Sequence, residues 1–469
     1  MVTLFKKYCG RVLLPLMLLL GGSLMAACAP QDMAVEPQKA ASPLQDCKFK
    51  INGAGMYLDA RCAKISVAED RSNSNSRSVD LNVVVYPAVN RNPAADPLFL
   101  LAGGPGEAAT QSFPLMLDAF TCIHQERDLV MIDQRGTGDS HPLTCPVNEE
   151  TKNGEVNFDI SLDESLEDIK SCRESLDGDP RLYTTQAAVE DIEAVRQALG
   201  YDEINLMGVS YGTRVALAYL RQYEAHVRTV MLDSVAAPDW ELGPHHAVNA
   251  QRALDLIFER CEAEADCQQA FPNLKDEFNS LLDKLDKEAV KVNMRHPVTS
   301  EKIDITLDRK QLGFVLQILS YEPETAALLP LLIHSAYQDG SYDLLLAQAL
   351  TSQQGLSGSI SDGLYLSVLC AEDEPFYPAE ASNAGAAYLP DPTAQMRSIC
   401  RVWNTASVNS EFKQAVVSSR PVLLFSGEAD PITPPSNALA TAETLSNSLT
   451  VVAPGMGHAV FTRGCYPKL

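Results

Sequence analysis

The chain predicts an α/β architecture: a mostly parallel, doubly wound sheet whose strand–helix alternation is interrupted once by a long helical segment. Three observations carry that expectation. Between residues 97 and 233, short apolar runs alternate with helical stretches, the pattern of a parallel sheet covered on both faces. From 236 to 416 helical segments dominate and strand-like runs are few. Alternation resumes at 421–425 (PVLLF) and 448–452 (SLTVV), so the segment after the interruption completes the same sheet.

The first residues stand apart from that core. Lys6, Lys7 and Arg11 precede an apolar run, 12–25, that ends in Ala26-Ala27-Cys28. A charged start, a short apolar stretch and small residues predict an export signal over 1–27. The run is shorter than the roughly 20 residues a membrane span needs. Leu24-Met25-Ala26-Ala27-Cys28 resembles a bacterial lipobox, with Met25 where Leu is commoner. That resemblance implies cleavage before Cys28 and its lipidation; ordinary cleavage near Ala27 is the alternative. Residues 28–45, rich in Ala, Pro and Gln, predict a flexible tether.

Export changes the meaning of the twelve cysteines. Setting aside Cys9 and Cys28, ten remain, an even number that suggests disulfides. Spacing allows the local pairs 47–62, 145–172, 261–267 and 370–400, with 122–465 as the remainder, and leaves the connectivity open. No paired C-x-x-C motifs are present, so no metal is assigned. A formal charge of −24 argues against nucleic acid as a partner and against a basic membrane-binding patch. At 46% hydrophobic and 21% charged, the chain can bury a sizeable core.

Within the core, 78–86 (SVDLNVVVY) predicts a strand by its β-branched residues and partial alternation. Residues 97–101 (PLFLL) predict a buried strand opening into the glycine-rich loop Ala102-Gly103-Gly104-Pro105-Gly106. A helix is expected near 108–120, then a strand at 128–133 (DLVMID) and the turn Gln134 to Gly138. Residues 147–183 are polar and read as an irregular surface excursion. Thr185 is expected to cap a helix with Val189, Ile192, Val195 and Leu199 on one face and Gly200 as its stop. Strands follow at 204–207 and 229–233, and within 236–416 helices are expected at 246–262, 275–289, 308–320, 324–338 and 343–350.

The chemistry is signalled at Gly208-Val209-Ser210-Tyr211-Gly212. A G-x-S-x-G turn between a strand and a helix is a nucleophile elbow, and the strand–turn–helix context makes a chance match the weaker reading. Ser210 is the candidate nucleophile, with a helix N-terminus beneath it to favour developing negative charge. A serine hydroxyl needs a base, and the base needs a carboxylate to orient it. Gly427-Glu428-Ala429-Asp430-Pro431 and Gly455-Met456-Gly457-His458 each follow an apolar strand, so Asp430 and His458 complete the order Ser, Asp, His. Glu428 and Asp233 are alternative carboxylates. The oxyanion needs two fixed donors: the N–H of Tyr211, and one from the glycine loop, where Pro105 has none, leaving Gly104 with Gly103 in reserve. His245 and His246 are adjacent rather than one helical turn apart, which fits a surface pair better than a metal site. Together these features predict an α/β-hydrolase fold: core over 46–235, helical cap over 236–416, core again over 417–469.

On these residues the chain resembles exported α/β-hydrolases of the tripeptidyl-aminopeptidase and prolyl-iminopeptidase group of serine peptidases. The resemblance rests on Gly103 to Gly106, Asp133 to Ser140, Gly208 to Thr213, Leu232-Asp233, Cys400 to Trp403, Ser426 to Pro431 with Thr433-Pro434, and Gly457-His458. It runs from about residue 60 to the end and is weakest in the cap. It implies release of short peptides or single residues from free N-termini, with anionic groups in the cap for the substrate's ammonium. Cys370-Ala371-Glu372-Asp373 resembles an acidic motif of the group, which makes Glu372 and Asp373 candidates; two solvated surface acids are the alternative. Two departures stand out. Ala102 occupies a position where prolyl-iminopeptidases usually carry His, and relatives usually continue beyond the equivalent of Leu469.

The expectation is therefore an exported serine hydrolase in the periplasm, outer membrane or cell surface, held to a membrane only through a lipid anchor. It acts on peptides and implies no cofactor. A carboxylesterase with the same triad is the nearest alternative, and a non-catalytic surface lipoprotein is the more distant one.

Overall fold

The structure is a computed structural model and describes residues 42–51, 55–145, 162–357, 360–379 and 388–469. The expected leader, Cys28 and most of the tether lie outside the described residues. Among the described residues there are eleven strands: β1 (Gln45–Ile51), β2 (Met56–Ala68), β3 (Ser78–Tyr86), β4 (Leu98–Leu101), β5 (Leu129–Ile132), β6 (Ile204–Val209), β7 (Val227–Asp233), β8 (Val290–Arg295), β9 (Lys302–Leu307), β10 (Val422–Gly427) and β11 (Ser448–Ala453). Nine form one sheet in the order β1-β2-β3-β5-β4-β6-β7-β10-β11, and β8 and β9 form a separate antiparallel hairpin.

The pairings from β5 through β4, β6, β7 and β10 to β11 are parallel, while β1, β2 and β3 join the sheet antiparallel. The parallel strands are short and apolar because both of their faces are covered; every residue of β4 and β5 is buried. This sheet places Asp233 at, and Ser210, Asp430 and His458 just beyond, the carboxyl ends of neighbouring parallel strands, where open α/β sheets form their sites.

The helices that matter below are α1 (Leu162–Ser175), α2 (Thr185–Leu199), α3 (Tyr211–Tyr223), α4 (His246–Ala263), α5 (Leu274–Lys287), α6 (Arg309–Leu319), α7 (Leu329–Asp339), α8 (Tyr342–Ser357), α9 (Asp362–Val368), α10 (Thr393–Trp403) and α11 (Pro435–Ala442). Helices α4 to α8 occupy the segment between β7 and β10, near the expected spans. They enclose a second apolar core, with Leu254, Phe258, Phe278, Leu316, Leu332 and Tyr388 among its members. That segment also holds the β8–β9 hairpin, which the helical pattern concealed.

Four expectations are corrected in detail. β1 and β2 precede the first strand expected at 78 and extend the sheet's edge. The expected helix at 108–120 is one α-turn, Ala109–Ser112, followed by a 3₁₀ stretch, Phe113–Phe120, with Pro114 at the change of winding. Part of the expected irregular excursion is α1. The N-cap of α2 is Thr184, whose side chain accepts the Ala187 N–H, and Thr185 is the first helical residue.

Disulfides join Cys47–Cys62, Cys145–Cys172, Cys261–Cys267 and Cys370–Cys400. The first locks β1 to β2 and the second ties α1 back to the core. The pairing 122–465 is not formed, and both of those side chains are exposed. Four disulfides mark a protein that matures in an oxidising, exported compartment.

Candidate active site

Ser210 sits between β6 and α3 with φ 55° and ψ −125°, a left-handed conformation that costs a non-glycine residue roughly 1–3 kcal/mol. Its surroundings hold it there. The Ser210 N–H donates to the Asp233 carbonyl at 2.9 Å, and its own carbonyl accepts from Thr213 N and Thr213 Oγ1 at 2.9 and 2.6 Å. The flanking glycines are required by contact. A Cβ on Gly208 would lie 2.4 Å from the Gly212 carbonyl oxygen, and one on Gly212 would lie 2.2 Å from that of Leu101. The result is a half-buried serine projecting at the start of a helix.

Asp430 lies three residues past β10 and is fully buried. Its Oδ1 accepts the Ile432 and Thr433 N–H groups at 2.9 Å each, and its Oδ2 accepts Thr433 Oγ1 at 2.8 Å. Oδ2 also meets His458 Nδ1 at 2.8 Å, the contact that fixes an imidazole's tautomer and orientation. Burial alone would raise the Asp430 pKa; the His458 charge and these hydrogen bonds more than offset it, so the carboxyl is held low. Burial alone would lower His458; the Asp430 carboxylate more than offsets that too, and the imidazole is held above its ordinary value. Arg252 of α4 anchors the acid's loop by donating to the carbonyls of Glu428 and Asp430 at 2.7 and 2.9 Å.

The backbone around His458 is set from two sides. Its N–H donates 2.7 Å to the carbonyl of Tyr321, just past α6, and the Tyr321 ring meets the imidazole edge-on at 5.4 Å. On the other side Asp233 accepts the Phe461 N–H at 2.6 Å, and Ser234 Oγ accepts that of Ala459 at 2.9 Å. Burial pushes the Asp233 pKa up to about 6. Asp233 thus holds the histidine loop rather than the imidazole. Glu428 is half exposed and paired with Arg260 at 2.7 Å, and it too makes no contact with the ring.

The glycine loop runs alongside the serine: a Cβ on Gly103 would come within 3.2 Å of Ser210 Cβ. The Gly103 N–H donates to Glu107 Oε2 at 3.2 Å, which leaves the next amide, that of Gly104 (φ 102°), as the candidate oxyanion donor from this loop. Tyr211 opens α3 directly after Ser210. Beneath the loop, Asp133 accepts Thr110 N, Thr110 Oγ1 and Asn82 Nδ2 at 3.0, 2.9 and 2.9 Å, fixing the helical turn that follows it.

Glu372 and Asp373 lie apart from this constellation. Both have zero side-chain exposure, as has Arg214 of α3 between them. Arg214 donates to both oxygens of Asp373 at 2.9 Å and approaches Glu372 at 3.4 Å. Glu372 also accepts Thr185 N and Thr185 Oγ1 at 2.6 and 2.7 Å, and Asp373 the Leu242 N–H at 3.0 Å. Both are buried and already engaged by Arg214, with Lys413 also 3.7 Å from Asp373, so their placement fits neither an ammonium anchor nor a solvated surface. It braces the helix that carries the serine. His245 and His246 pack against Trp240, each with ring centroids 6.3 Å away, and burial pushes His246 down to about 4.

Sequence reasoning missed Glu107, Arg214, Arg252 and Tyr321. Only Glu107 carried a local signal, because it directly follows Gly-Gly-Pro-Gly. The others act across the insertion.

Comparison with known proteins identifies the family of the chain. The pattern of the alpha/beta hydrolase fold family matches residues 96–464. YuaR of Escherichia coli, named provisionally as a hydrolase, is 22% identical over 87% of this chain and 82% of its own length. The serine protease Hip1 of Mycobacterium tuberculosis is 26% identical over 48% of this chain and 46% of its own. A tripeptidyl aminopeptidase of Streptomyces coelicolor is 28% identical over 37% and 32%. The chain thus matches less than half the length of these two peptidases.

Proposed function

Because the chain belongs to the α/β-hydrolase fold family and is a hydrolase, we propose that it is a serine peptidase acting at the free N-terminus of short peptides through an acyl-enzyme formed on Ser210. Ser210 Oγ attacks the scissile carbonyl while His458 takes its proton, and Asp430 stabilises the resulting imidazolium. The N–H groups of Gly104 and Tyr211 hold the oxyanion, a contribution whose loss typically costs about a hundred- to a thousand-fold in rate. His458 then returns the proton to the leaving amine, and water repeats the sequence to free the acyl group. The observation that carries this reading is the 2.8 Å contact between His458 Nδ1 and the buried Asp430, beside a serine held in a left-handed elbow.

A specific observation favours esterase activity as the second reading: Glu372 and Asp373, the acids expected to receive an ammonium, are fully buried and paired with Arg214. One experiment separates the two. The mature protein and its Ser210→Ala variant are assayed on aminoacyl and tripeptidyl chromogenic amides, with free and acetylated N-termini, and on short acyl esters. Turnover of free-amine amides that vanishes in the variant supports the peptidase. Turnover of esters alone replaces it with a carboxylesterase. No turnover, together with no labelling of Ser210 by a fluorophosphonate, sinks both.

We further propose that the exported chain is anchored through a lipid on Cys28. Metabolic labelling with a radioactive fatty acid that is lost in Cys28→Ser supports this, and labelling unaffected by that substitution removes it.

A further inference from the structure

Among the described residues Glu107 lies beside the nucleophile with no Lys or Arg in an ion pair with it; Asp233 lacks one too, but its carboxylate is taken up by the Phe461 N–H and Ser234 Oγ. Its carboxylate oxygen Oε2 and the Ser210 Cβ lie within 3.4 Å of the same point, the position a Cβ on Gly103 would take. Its hydrogen bonds are made by Oε2, which accepts from Gly103 N at 3.2 Å and Ser112 Oγ at 3.4 Å. Among the described residues no Lys or Arg forms an ion pair with it, in contrast to Glu372 and Asp373. The titratable groups that share its field are His458 and Tyr321. Burial raises its pKa, so the protein alone compensates this carboxylate incompletely. The loop is held in place from outside: Gly106 O accepts the Ser361 N–H at 2.9 Å, and Glu107 bridges to Ile360 in antiparallel fashion.

Resting on the peptidase reading above, we propose that Glu107 receives the α-ammonium of the very residue whose carbonyl Ser210 attacks, which makes the enzyme one that releases single N-terminal residues rather than tripeptides. The reach of the side chain decides the length. In an acylating residue the amine is attached to the Cα next to the reacting carbonyl. The N-terminus of a tripeptidyl group lies two residues farther out, up to about 7 Å along an extended chain. An acid whose oxygen shares a common neighbouring point with the serine's Cβ favours the first of these over the second. The ammonium would supply the cation that the fold withholds from Glu107, so the pair forms only in the complex.

The test uses the purified mature enzyme, its Glu107→Gln and Glu107→Asp variants, and three substrates: alanine p-nitroanilide, trialanine p-nitroanilide and p-nitrophenyl acetate. In the parent enzyme, kcat/KM for the single-residue anilide exceeds that for the tripeptidyl one. In Glu107→Gln the ratio of alanine anilide to acetate kcat/KM falls about 10- to 100-fold, carried mainly by KM, the scale of a lost hydrogen bond to a charged group. Glu107→Asp recovers part of that ratio. Fluorophosphonate labelling of Ser210 in both variants shows that the fold and nucleophile persist. Anilide and ester falling in step would make Glu107 a brace for the loop and overturn the proposal, as would an unchanged ratio or preferred cleavage of the tripeptidyl anilide. Should the parent enzyme cleave the ester but neither anilide, the peptidase reading falls as well.

Discussion

Two buried acidic clusters, one facing Arg214 on the helix that follows Ser210 and one facing His458 beyond β10, differ in what balances them. Glu372 and Asp373 face Arg214, a cation that keeps its proton at any pH the protein meets, with Lys413 3.7 Å from Asp373. Asp430 faces His458, whose proton can leave. Both clusters saturate their carboxylates with backbone N–H and threonine donors, so hydrogen bonding does not separate them. The cation does. A permanent charge turns a pair of acids into a brace, whereas a titratable one leaves the acid able to follow a proton transfer.

The sharpest way to probe that contrast is to neutralise each side. Asp430→Asn keeps the shape but holds the wrong imidazole tautomer, and kcat is expected to fall about ten-thousand-fold with little change in the urea midpoint. Arg214→Met does the reverse: it strands two buried carboxylates and is expected to cost about 3–5 kcal/mol in urea unfolding. The triple variant Arg214→Met, Glu372→Gln, Asp373→Asn should recover part of that loss. If it does not, the brace works through packing rather than charge.

A smaller effect concerns pH. His458 must be neutral to accept a proton, and its pKa is held above the usual 6.5, so kcat/KM rises with pH through an acid limb lying above 6.5. In Asp430→Asn that limb moves down, and an unmoved limb would detach it from the pair. The smallest effect is expected at Asp233. Its folded pKa of about 6 exceeds the ordinary 3.8, so the native state binds more protons than the unfolded one between those values. Stability from this group is therefore present at low pH and is lost as pH rises toward about 6; Asp233→Asn removes that dependence in urea titrations at pH 4 and pH 7.

The core was legible because its signals are local. Buried parallel strands such as LFLL and LVMI announce themselves by composition, and the elbow by two glycines around a serine. The edge was not. β1 and β2 alternate around Lys48, Lys50, Asp59 and Lys64 and become strands only through each other and β3. The hairpin β8–β9 hid for the same reason, among helices whose periodicity drowned it. Arg214 defeated pattern reading more completely. On a helix wheel it looks like a surface cation, and only the return of the chain at Glu372 buries it.

The hydrogen bond from the His458 N–H to the Tyr321 carbonyl has an engineering and evolutionary meaning. Gly457 approaches that same oxygen so closely that a Cβ there would lie 2.2 Å from it. The inserted segment and the core are therefore not exchangeable modules. Grafting a foreign insertion onto this sheet, or trimming it to a minimal catalyst, would carry away the backbone that sets the histidine's height. Inheritance must treat the stretch around Tyr321 and the histidine loop as one unit, leaving diversification to the helices that do not touch it.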